Sequence, residues 1–178
     1  MIGTLTWLPA LDRPDLLAEP VAAALAGVGP DAALVAQIDP ELADTAAFCA
    51  TYDVALDVSA NCVVLSARRA GTASLAACVV LATTRADVNR RARHELGARK
   101  ASFAAVDDAV AATGMEYGGI TPVGLPADWP VLVDAAVADA DRVVVGSGLR
   151  RSKLLLPGAA VAGLPGARVV EGLGLPAG

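Results

Sequence analysis

The sequence predicts a mixed α/β domain, and three observations carry that prediction. Short apolar runs suited to strands alternate with short helical segments at irregular intervals, which argues against a regularly wound parallel sheet. No internal repeat or long linker divides the 178 residues, so residues 1–178 read as a single domain long enough to bury a core without disulfides or metals. The composition is 55% hydrophobic but only 3% aromatic, so that core must be built from small and branched aliphatic side chains.

Taken in order, a helix is predicted from Asp12, its candidate N-cap, with Pro14 in its first turn. Leu16, Leu17, Val21 and Leu25 fall at helical spacing before Gly27 and Gly29, and Pro20 is expected to kink the helix or divide it. Residues 1–34 thus read as an N-terminal helical extension of a core spanning 35–172. A second helix is predicted from Asp39-Pro40-Glu41 to about Thr51, and residues 52–60 connect it to the sheet. Asn61–Ala67 and Leu75–Thr83 are strand candidates joined by a glycine-containing break, as in a hairpin. A polar helix is expected to open at Thr84 and end at Gly97. A strand at Lys100–Ala104 and a helix from Val106 to Ala112, closed by Gly114, follow. Further strands are predicted near 130–134, 141–146, Lys153–Leu156 and Ala167–Glu171, with a small helix at Ala159–Leu164 and a fraying tail from Gly172 to Gly178.

Composition limits the chemistry. Cys49, Cys62 and Cys78 are an odd number without paired metal spacing, which argues against a disulfide framework and a zinc site and for reduced thiols in a cytoplasmic protein. No metal or cofactor is expected. The single histidine, His94, stands among arginines and reads as an exposed or helix-packing residue. No apolar run reaches the length of a membrane span, and the first residues lack the basic region of a signal peptide. Net charge is −5, but it is unevenly placed: residues 1–60 hold one Arg against nine acids, and residues 61–178 hold thirteen bases against ten acids. Arg90, Arg91, Arg93 and Lys100 form one basic group, and Arg150, Arg151 and Lys153 another. Either group can meet a phosphate backbone or serve simply as solvated surface charge.

Two loops stand out as candidate binding elements. In Gly114–Asp134, glycines and prolines at close spacing specify a rigid, irregular turn that feeds an apolar strand. Gly146-Ser147-Gly148 follows Val143–Val145 and offers backbone N–H groups as a cradle for an anion or ester oxygen. It is too short for a dinucleotide fingerprint, and no Walker pattern occurs.

The segment Gly118-Gly119-Ile120-Thr121-Pro122-Val123-Gly124, the strand ending at Asp134, and Val143 to Arg151 together resemble the YbaK family of aminoacyl-tRNA deacylases, which includes the editing domain of bacterial prolyl-tRNA synthetases. The resemblance spans roughly residues 35–172. It implies a curved, barrel-like mixed β-sheet surrounded by short helices, and a trans-acting enzyme that hydrolyses the ester of a mischarged small amino acid on tRNA, alone or beside a synthetase, as a monomer or homodimer. Substrate contacts are then expected from Tyr117, Gly118, Gly119, Ile120, Thr121, Pro122, Gly124, Asp134, Gly146, Ser147 and Gly148, and tRNA contacts from Arg90, Arg91, Arg93, Lys100, Arg150 and Arg151.

The family's central lysine falls at Cys62 by register, and no lysine precedes Lys100. Cys62 and Lys153 are therefore the candidate catalytic residues. Cys62 reads as an apolar strand residue, a ligand contact or a nucleophile, and Lys153 as a replacement for the missing charge. The alternative function is a homologue that binds an aminoacyl group or tRNA end without cleaving it.

Overall fold

The computed structural model describes residues 2–27 and 33–176. Gly29 and the last two residues of the predicted tail lie outside that range. The chain begins with a two-residue strand, β1 (Leu8–Pro9), followed by 3-10 turns at Ala10–Asp12 and Pro14–Leu16 and helix α1 (Glu19–Leu25). The single helix predicted from Asp12 does not form: Arg13 (φ −131°, ψ 61°) and Leu17 (φ −122°, ψ 140°) take non-helical backbone and divide the segment into separate turns. Pro20 does not kink a helix but stands in the first turn of α1, where its missing N–H has no helical partner to lose.

After β2 (Leu34–Gln37), the second predicted helix also divides. Asp39 caps a 3-10 turn at Pro40–Leu42, and Asp44 then caps α2 (Thr45–Tyr52) by accepting from Ala46 N and Ala47 N. The predicted hairpin is present as β3 (Ala60–Arg69) and β4 (Thr72–Leu81), longer than expected and closed by Ala70 and Gly71 at φ 48° and 83°. Positive φ at both central residues matches the twist of a two-residue hairpin.

Thr84, expected to open a helix, instead begins strand β5 (Thr84–Ala86). Asp87 then caps a π-type turn, Val88–Ala92, which continues into α3 (Arg93–Glu95). Then follow β6 (Lys100–Phe103), α4 (Val106–Thr113), β7 (Val131–Asp134), α5 (Ala135–Ala138), β8 (Val143–Gly146) and β9 (Ser152–Leu156). The last elements are α6 (Gly158–Ala162), β10 (Ala167–Val170) and β11 (Gly174–Pro176). The tail is held rather than frayed as far as Pro176, because β11 pairs antiparallel with β5.

The expected barrel does not close. One sheet has the order β1-β2-β9-β8, the second β10-β7-β4-β3-β6, and the third is the β11-β5 pair. The second sheet is mixed: β7 runs parallel to both β10 and β4, while β3 is antiparallel to β4 and β6. An isolated parallel bridge between Ser59 and Val144 joins the two larger sheets.

Strand alternation sorts the side chains into layers. Val143, Val145, Leu154 and Leu156 from the first sheet meet Ala77, Val79, Val131 and Val133 from the second, with Leu16, Leu17, Val21 and Leu25 closing the main core. On the other face of the first sheet, Val144 and Leu155 pack with Phe48. On the other face of the second, Leu65, Cys78 and Leu132 pack with Val88 and Ala92. Residues 16–25 therefore belong to the main core.

Candidate functional site

A cavity of about 560 Å³ opens where the main core ends. One wall comes from β3, with Asn61, Cys62 and Val64, and the opposite wall from Gly146 and Lys153 on β8 and β9. Asp44 and Thr45 at the start of α2 close one side; Tyr117, Gly118 and Ile120 of the glycine-proline loop close another. Arg150 also lines it, and Phe103 and Val106 stand at its edge.

The two glycine loops lie backbone on backbone. A Cβ added to Gly119 would stand 2.6 Å from the Leu149 carbonyl carbon, and one added to Gly146 would stand 2.3 Å from the Gly119 oxygen. Gly148 N donates to Gly119 O at 2.8 Å, Glu116 N donates to Gly148 O at 2.9 Å, and Gly119 N donates to Glu116 O at 2.9 Å. The glycines are thus required by close approach of two chains, and the N–H groups of Gly119 and Gly148 are spent within the loops.

Arg150 fastens this assembly. Its guanidinium donates to Tyr117 O at 3.2 Å and Pro40 O at 3.0 Å, while its backbone N–H donates to Glu116 Oε2 at 2.7 Å. The planar guanidinium thus ties two other segments, at Tyr117 and Pro40, to its own, a geometry that a lysine ammonium does not reproduce.

Of the predicted substrate contacts, Tyr117, Gly118, Ile120 and Gly146 line the cavity and the others do not. Gly119, Thr121 and Pro122 are buried in the loop, Gly124 sits against the Pro20 carbonyl, and Gly148 packs against Ala18 and Val21. Ser147 Oγ lies 2.7 Å from Ser152 Oγ, which donates to Leu16 O at 2.6 Å, so this hydroxyl pair anchors the N-terminal segment. Asp134 Oδ1 accepts from Ala136 N at 3.0 Å and Oδ2 from Gly174 N at 2.7 Å. Asp134 starts α5 and holds the C-terminal strand.

Both candidate catalytic residues reach the cavity, in different chemical states. Burial pushes the Cys62 thiol well above its usual range, with Cys78 adding to the effect. The thiol is neutral and packs against the main core, which removes the basis for a nucleophilic thiolate at neutral pH. Lys153 is buried, its Nζ donates to Ala43 O at 2.9 Å, and it stands 5.1 Å from the Phe48 ring centroid. Burial lowers its pKa to about 8, with Cys49 and Asp44 opposing that shift and Arg150 adding to it. The ammonium is therefore mostly retained at pH 7 at an electrostatic cost.

The basic residues divide by location. Arg90, Arg91 and Arg93 belong to the helical segment packed on the far face of the second sheet, and His94 is exposed beside Glu95. Lys100 lies on β6 opposite Arg68, and Arg151 donates to Asp15 O at 2.8 Å. Of the predicted tRNA contacts only Arg150 lines the cavity. Sequence reasoning missed the polar wall formed by Asp44, Thr45 and Asn61, in which Thr45 Oγ1 donates to Asn61 Oδ1 at 2.6 Å. The signals were an Asp-Thr capping pair and an asparagine at the start of an apolar strand. Among the described residues, no group of three or more His, Cys, Asp and Glu side chains comes together as metal ligands do.

The sequence profile of the aminoacyl-tRNA editing domain matches residues 39–164, a span that includes every residue lining this cavity. The chain belongs to this family. Similar folds are found among solved structures. A candidate trans-editing enzyme for prolyl tRNA synthetase superposes with a TM-score of 0.74 at 19% identity, covering 90% of this chain and 97% of the other. The hypothetical protein APE2540 superposes with a TM-score of 0.69 at 18% identity, covering 79% and 90%. No curated protein sequence matches the chain. Likeness at these identities establishes a YbaK-like fold, and the sequence profile places the chain in the aminoacyl-tRNA editing domain family. Among the described residues, no helix is long and apolar enough to cross a membrane.

Proposed function

We propose that this editing domain acts in trans, removing a mischarged small amino acid from tRNA by ester hydrolysis. A synthetase discriminates a missing methylene by only about 1–3 kcal/mol, so small amino acids escape its first selection and need a second, hydrolytic site. The observation that carries the reading is Lys153: the cavity holds a buried ammonium although the family's lysine position is a cysteine.

In this reading the aminoacyl ester enters with its carbonyl toward Lys153 and its side chain toward Cys62, Val64 and Ile120. Water adds to the carbonyl carbon, and the ammonium of Lys153 stabilises the oxyanion that forms. Collapse breaks the bond to the ribose oxygen. One proton of the water is lost from the intermediate, the other passes to the leaving oxygen, and the products are a free amino acid and a ribose hydroxyl. Ala43 O fixes one of the three ammonium donors and so sets the direction of the others.

The test is single-turnover hydrolysis of tRNAs charged with glycine, alanine, serine and proline, comparing the unmodified chain with Lys153→Met. Turnover that falls by about a hundredfold or more in the variant is the expected result. Equal turnover would remove Lys153 from the mechanism. Binding without turnover across the panel would identify a non-hydrolysing relative that holds the tRNA end.

A further inference from the structure

Six aromatic residues occur in the chain, two each of Phe, Trp and Tyr. Phe48 and Trp129 are buried, and Trp7 and Tyr52 are half-buried. The two exposed ones, Phe103 at 65% and Tyr117 at 62%, both belong to the cavity edge. Val106, 46% exposed, is there as well. A protein so poor in aromatics places its only exposed rings, among the described residues, at the mouth of one pocket.

The surroundings specify what such a rim meets. Phe103 ends β6, the edge strand of its sheet, opposite Leu65; three residues earlier on that edge Lys100 stands opposite Arg68, on the other face. By strand alternation Arg68 shares a sheet face with Cys62 and Val64, about 13 Å beyond Val64 at the usual rise per residue. Arg69 and Arg99 flank that pair in sequence. An apolar rim at the cavity and a cationic strip leading away from it match a single strand whose last base lies on the rim and whose phosphates follow the cations.

Resting on the editing reading, we infer that Phe103, Val106 and Tyr117 form the seat of the terminal nucleobase of the aminoacylated tRNA, and that Arg68 and Lys100 receive the phosphates preceding it. The base stacks outside the cavity while the aminoacyl ester enters it. Recognition at the rim comes from the flat face of the base, so it fixes the position of the ester without reading the rest of the tRNA.

The experiment uses two non-hydrolysable probes carrying the amino acid that gives the highest turnover in the panel: its 3′-amide on 3′-deoxyadenosine, and the same amide on the ribose lacking the base. The intact chain is expected to bind the adenosine compound about tenfold more tightly. Tyr117→Ala and Phe103→Ala should each remove most of that difference, and Tyr117→Phe should keep it. Arg68→Gln combined with Lys100→Gln should raise KM for aminoacyl-tRNA severalfold at low salt, by less as salt rises, and leave the adenosine compound unaffected. Equal affinity for the two probes in a chain that hydrolyses aminoacyl-tRNA overturns the base seat alone. Absence of turnover across the panel overturns the editing reading and the base seat together.

Discussion

Replacing Lys153 with methionine separates the electrostatic cost of this residue from its use. The ordinary lysine value is 10.5 and burial brings Lys153 to about 8, so the native state disfavours the ammonium by about 3 kcal/mol at about 1.36 kcal/mol per unit. The sign follows from proton linkage. Between pH 8 and 10.5 the unfolded chain holds a proton that the native chain has released, so native stability rises with pH across that window. Below pH 8 both states are charged and the full penalty is present; above 10.5 both are neutral and it is absent.

Methionine keeps the apolar stem and carries no charge, so the comparison isolates this term from every other titrating group. Urea unfolding of both proteins at half-unit pH steps from 7 to 11 should show the unmodified chain gaining up to about 3 kcal/mol on the variant. Parallel curves would refute the claim that Lys153 is held as a strained cation. Loss of the bond to Ala43 O offsets the gain expected from removing the charge, by about 1–3 kcal/mol, but it is independent of pH and does not change the shape of the difference.

Three further substitutions test the remaining assignments. Cys62→Ala should keep hydrolysis within about twofold, because the thiol it removes is neutral and serves as an apolar wall; a hundredfold loss in single-turnover rate would reinstate thiol chemistry. Asp134→Ala should lower stability by about 1–3 kcal/mol in urea unfolding without altering KM, since both carboxylate oxygens bind backbone N–H groups outside the cavity. Gly119→Val should cost about 1–3 kcal/mol in the same assay and reduce hydrolysis with it, because its Cβ meets the Leu149 backbone; unchanged stability would show that the loops are not packed as described.

The parts of the fold legible in the sequence were those with strong local punctuation. Gly71 announced the β3–β4 turn, Gly114 the end of α4, and the valine and leucine runs the strands of the main core. Short segments without a pattern, held only by remote pairing, were not legible. Thr84–Ala86 becomes a strand only because Gly174–Pro176 lies against it, and neither segment has a pattern of its own. Asp134 marked a strand end, but its second role as the cap of α5 was hidden by the length of that helix, Ala135–Ala138.

At the site, the glycine loops were visible because close backbone contact demands glycine, whereas the division between lining and supporting residues depends on which way each peptide turns. The polar wall was harder to see. Thr45 and Asn61 are apart in sequence and meet because the start of α2 lies beside the start of β3, where Thr45 bonds Asn61.

The position of the cavity has a mechanical consequence. Its walls belong to two sheets, β3 in one and β9 in the other, and the strand edges touch through the isolated Ser59–Val144 bridge while aliphatic side chains fill the main core between them. The pocket is therefore lined from both half-structures. A molecule lodged there acts as a strut, adding contacts to both halves. Its binding energy adds to the cohesion of the whole domain, and amide protons along β3 and β9 should exchange more slowly when the pocket is occupied.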